Sequence, residues 1–149
     1  MKRTELKKKT KNPTKKLEEK LDREYQDFFR ELCHQFGITS EYSGKQMEVC
    51  HHHIEKCRSA LLRYNLINFV PITNGEHTEI SLSRGDGSIM NRVISKRCQR
   101  WVNLIEKLRY KTIPKDFAYY EKAQQQLEYM KSHKKELVAS YLKNGYFSL

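Results

Sequence analysis

Three consecutive histidines, His51-His52-His53, hold half of the chain's six histidines. An imidazole titrates near physiological pH and serves as a general base or as a metal ligand. On a strand, alternate side chains take opposite faces. His51 and His53 then share a face and His52 takes the other, unless the strand ends or twists there. A bend after Cys50 would bring His52 and His53 to one site. Farther on, Asn68-Phe69-Val70-Pro71-Ile72 runs into Thr73-Asn74-Gly75-Glu76-His77. The first of these reads as a strand ending at Pro71-Ile72. Thr73 and Glu76 have the spacing of a capping box, which opens a short helix and sets His77 in its second turn. Imidazoles therefore stand on a strand and on the helix that follows it, with an Asn between.

In order and spacing, His52-His53-Ile54, Asn68 and His77 resemble the HNH (ββα-metal, or His-Me finger) endonucleases. The stretch Asn68-Phe69-Val70-Pro71-Ile72 with Glu76-His77 is similar to that family's Asn-Leu-Val-Pro-Leu-Cys-x-x-Cys-His, with both cysteines replaced. Leu62-Arg63-Tyr64 looks like the Leu-Arg-Trp/Tyr of phage members. Lys16–Leu32, with Cys33-x-x-x-Gly37, is similar to the phage NinG/Rap recombination endonucleases. The likeness covers about residues 16–80. It implies His53 as general base, Asn68 orienting it, and His52 and His77 as ligands of one Mg²⁺ or Mn²⁺ ion. In many relatives an Asp stands at His52. A two-histidine site is softer, so other transition metals also suit it. His51 competes for either role. The implied substrate is DNA, with branched or single-stranded recombination intermediates as candidates. The family's structural zinc is not expected here. Only Cys33 remains of its four ligands, with Phe36, Thr73 and Glu76 at the other positions, and one Cys cannot hold the ion. Cys50 and Cys57 are spaced poorly for a substitute site.

Charge and pattern describe the scaffold that must position these residues. Lys and Arg number 29 against 18 Asp and Glu, a net charge of +11, which favours a polyanionic partner. No apolar run is long enough to span a membrane, and Met1 leads into lysines rather than a secretory signal. Four cysteines without a C-x-x-C pair read as reduced thiols in a cytoplasmic protein. Residues 1–16 hold eight basic residues and one acid and read as a disordered tail that tracks phosphates. Residues 17–149 form one domain. The expected fold is α+β, a small ββα-metal core flanked by an N-terminal helix and two long C-terminal helices. Helical spacing holds over Leu17–Leu32, fades over 38–85, and returns from Ser88 to Pro114 and from Phe117 to Leu142. Arg58 and Arg63 between the strands, and Arg92, Lys96, Arg97 and Arg100 along the next helix, are the expected phosphate contacts. Two other classes stay open: a non-catalytic nucleic-acid binder with a degenerate HNH site, and a protein that binds a partner through its C-terminal helices. A homodimer is compatible with either.

Overall fold

Pro13 in the first turn, and Asn12 Oδ1 accepting from the Thr14 N–H at 3.1 Å, start a 24-residue helix, α1 (Pro13–Phe36). Residues 13–16, expected in the basic tail, belong to this helix. The computed structural model describes residues 12–82 and 87–149, so the rest of the tail, residues 1–11, lies outside the described residues. Leu21, Tyr25, Phe28, Phe29 and Leu32 form the buried stripe of α1. Gly37 stops the helix at φ 69°, a left-handed conformation that disfavours a side chain, and the Ile38 N–H returns to the Cys33 carbonyl at 2.9 Å.

Two strands follow, β1 (Val49–His52) and β2 (Phe69–Ile72), and they pair antiparallel. The register sets Val49 against Ile72, Cys50 against Pro71, His51 against Val70 and His52 against Phe69. Between them lie a one-turn helix, α2 (Ala60–Arg63), and a 3₁₀ turn over Leu66–Asn68. Helix α3 (Asn74–Leu82) comes next. Strand, loop, strand and helix thus occur in the expected order. Gln26 of α1 lies along β1, its Nε2 donating to the Cys50 carbonyl at 2.6 Å and its Oε1 accepting from the Cys50 N–H at 2.9 Å. On the other strand, Pro71 has no N–H, and its carbonyl accepts from the Glu41 N–H at 3.0 Å.

Where one helix was expected from Ser88, there are two: α4 (Ser88–Lys96) and α5 (Gln99–Leu108). Arg97 breaks the run with an extended backbone, φ −83° and ψ 152°. Its side chain turns inward onto Glu41 and the Phe69 carbonyl. The last expected helix is also divided, into α6 (Phe117–Ser132) and α7 (Lys134–Asn144), at His133. Among the described residues the fold is therefore α+β, mostly helical with one small antiparallel sheet. Phe69 and Cys50 join α1, α6 and α7 in the largest cluster. Val70 and Ile72, on the opposite face, pack with Val93 of α4. Ile54, Leu62 and Ile67 surround Trp101 and Ile105 of α5. No helix among the described residues is long and apolar enough to cross a membrane.

Candidate functional site

The alternation of β1 decides which histidine faces α3. His51 lies opposite Val70 and so shares the face on which Val70 and Ile72 are buried. That face brings its ring to His77, with the two ring centres 5.4 Å apart. A divalent ion bound by one nitrogen of each ring at about 2.1 Å would lie roughly 3.2 Å from each ring centre. Two such ligands on one tetrahedral ion would have ring centres roughly 5 Å apart, a spacing near that of His51 and His77. Among the described residues no three His, Cys, Asp or Glu side chains gather as a metal cluster.

His52 takes the other face, against the Phe69 ring at 4.8 Å, and its Nε2 meets the Arg63 carbonyl at 3.0 Å. A carbonyl oxygen only accepts, so Nε2 carries the proton and Nδ1 keeps its lone pair. His53 falls beyond the strand. Its ring lies 5.1 Å from the Trp101 ring, and its Nδ1 is buried without a partner. Asn68, fully buried, does not bond the His53 ring. Its Oδ1 accepts from the Ile54 N–H at 2.7 Å, and its Nδ2 donates to the carbonyls of Ile54 at 2.9 Å and Leu62 at 3.2 Å. It therefore clamps the backbone where β1 ends and α2 ends. Burial lowers all three histidines, His51 to about 3 with help from His77 and its neighbours, His52 to about 4 and His53 to about 4. They are neutral at pH 7.

His51, His52 and His77 line an open cleft of about 750 Å³, with Lys56, Arg58 and Arg63 along it. His53 is not part of its lining. Arg58 is exposed and makes a 3.1 Å pair with Glu55, a contact weak enough to exchange for a phosphate. Arg63 is buried and already held by Asp22 and Glu18. The expected row Arg92, Lys96, Arg97 and Arg100 is split. Arg92 and Arg100 are exposed, the first over the Tyr42 ring, and Lys96 reaches the Glu41 carbonyl at 3.3 Å. Arg97 is no phosphate contact. It lies buried over Trp101 at 4.5 Å, paired to Glu41 at 2.6 Å.

Thr73 and Glu76 form the expected capping box, with the Glu76 N–H bonded to Thr73 Oγ1 at 3.2 Å and Thr73 Oγ1 donating to Glu76 Oε2 at 2.7 Å. Ser40 and Ser43 also donate to the Glu76 carboxylate. Burial works against the carboxylate's charge, but these hydrogen bonds outweigh it and hold Glu76 below the ordinary range. Glu76 thus meets Ser40 and Ser43, a pair with x-x spacing, rather than Cys33 and Phe36. Cys33 is buried in the main core with Phe36 packed against that core, and burial raises its thiol to about 12. Cys50 is buried there too, while Cys57 is exposed beside the cleft. The Ser-x-x-Ser spacing was readable in the sequence; the carboxylates behind Arg63 carried no such signal. Compared with known proteins, the chain matches no family model, no curated protein and no solved structure.

Proposed function

We propose that this protein is a metal-dependent DNA endonuclease that hydrolyses phosphodiester bonds in the His51–His52–His77 cleft. The observation that carries the reading is the approach of His51 to His77, from a strand and a helix, with ring centres 5.4 Å apart. Relative to the expectation from the family pattern, the roles move one residue toward the N-terminus. His51 and His77 are the two metal ligands, and His52 is the base. When bound, the ion supplies charge neutralisation at the phosphate and support for the departing oxygen. Two imidazoles favour Mn²⁺ or a later first-row ion over Mg²⁺. His52 takes the proton of the attacking water at Nδ1, and its Nε2–H stays on the Arg63 carbonyl. Phosphate charge nearby favours the imidazolium that results. Arg58 exchanges Glu55 for a phosphate oxygen of the DNA.

The test is nicking of supercoiled plasmid with Mn²⁺ and after chelation by EDTA. Nicking should need the metal and fall at least about 100-fold in His51→Ala and in His77→Ala. Nicking that persists in EDTA, or that survives His77→Ala unchanged, would overturn the reading.

A further inference from the structure

We infer that Asp22 and Glu18, both on α1, are positioning residues for His52 and act through Arg63. The contacts run without a gap from helix to imidazole. Asp22 holds the Arg63 guanidinium in a fork, Nε to Oδ1 at 3.0 Å and Nη2 to Oδ2 at 2.6 Å. Glu18, one turn earlier, adds Oε1 at 3.3 Å from the same Nη2. The backbone carbonyl of Arg63 is the group that receives His52 Nε2–H at 3.0 Å.

The geometry of α2 makes the fork matter. A four-residue helix leaves its final carbonyls without intrahelical partners, so their direction is set from outside. Asn68 holds the carbonyl of Leu62, at 3.2 Å. The next carbonyl, that of Arg63, is steadied through its own side chain. The two carboxylates are themselves oriented. Lys56 reaches Asp22 at 3.2 Å, and Lys115 and the Tyr120 hydroxyl reach Glu18 at 3.2 and 2.8 Å. The Arg63 side chain is only 10% exposed, so solvent does little to weaken the fork. The long N-terminal helix thereby reaches the proposed base without entering the cleft.

The kinetic part of this inference rests on the nuclease reading; the spectroscopic part does not. The experiment uses full-length ¹⁵N-labelled protein without metal and records long-range ¹H–¹⁵N spectra of the histidine rings at neutral pH. Wild type should show His52 as a single Nε2–H tautomer. Asp22→Ala and Arg63→Lys should each give mixed tautomers at His52. In plasmid nicking they should lower kcat about 10- to 100-fold and move KM less than about twofold. A folded Asp22→Ala protein with the wild-type His52 signature overturns the inference, whatever its activity. If Asp22→Ala fails to fold, Arg63→Lys, which keeps the stem and the charge, decides by the same signature. Absence of nicking in wild type would remove the nuclease reading and leave the tautomer comparison to judge the positioning.

Discussion

His52 and His53 are sequence neighbours in opposite environments. One lines a cleft and donates to a backbone carbonyl; the other rests on Trp101 with a buried Nδ1 that nothing satisfies. The proposed exchange of their roles gives a direct expectation. His52→Ala should lower nicking about 100- to 10,000-fold, the span a general base contributes. His53→Phe, which fills the same space beside Trp101 and removes the orphaned nitrogen, should leave nicking within a fewfold of wild type. Rates measured on saturating plasmid check both, and the opposite order would return the base to His53. At this scale the residue types were legible in the sequence and the register was not. The run His51-His52-His53 has no internal mark of where its strand ends. That point is set by Asn68, fourteen residues from Ile54, whose side chain takes both the N–H and the carbonyl of Ile54. Arg97 was hidden for a similar reason: its partner Glu41 lies fifty-six residues away.

At the scale of an element, α3 depends on the group of hydroxyls around Glu76. The carboxylate caps the helix through Thr73 and ties it to the Ser40–Ser43 turn. Removing it leaves three hydroxyls without their common acceptor and takes away the half of the capping box that returns to the Thr73 N–H at 3.4 Å. Glu76→Ala should cost about 1–3 kcal/mol, read from urea unfolding. It should also weaken metal binding, because His77 lies one residue on. Glu76→Gln keeps an acceptor and should cost less; equal stability in all three proteins would show that the group carries no load. Short-range chemistry made α3 readable: Pro71 and the Thr73–Glu76 box are local signals. The breaks at Arg97 and His133 were not readable, since apolar spacing continues through both. The inward pair of Arg97 with Glu41, and the packing of α5 against the 3₁₀ turn and of α7 against α6, show where the chain turns.

For the whole molecule, three half-buried histidines held neutral make stability depend on acid. Their folded values, about 3 for His51 and about 4 for His52 and His53, lie below the ordinary 6.5. The unfolded chain therefore takes up protons first as pH falls. Their contribution is complete above 6.5 and is lost as pH drops from 6.5 toward 4, by up to about 1.4 kcal/mol per pH unit for each histidine. Asp22, Glu18 and Glu76 titrate below the ordinary carboxylate range because hydrogen bonds, joined at Asp22 and Glu18 by the charge of Arg63, outweigh burial. They add a second loss at still lower pH. The urea midpoint should fall clearly between pH 7 and pH 5, and a midpoint constant over that range would contradict the half-buried neutral state. The contacts of Gln26 and Glu41 with the sheet bear on association between molecules. A two-stranded ribbon ordinarily presents two open rows of peptide groups, the usual template for edge-to-edge pairing and aggregation. Here the amide of Gln26 occupies the free peptide groups of Cys50, and Glu41 occupies the outward carbonyl of a proline that has no donor to offer. Two copies could not merge their sheets at these positions without first displacing those groups, which makes edge-to-edge pairing there costly.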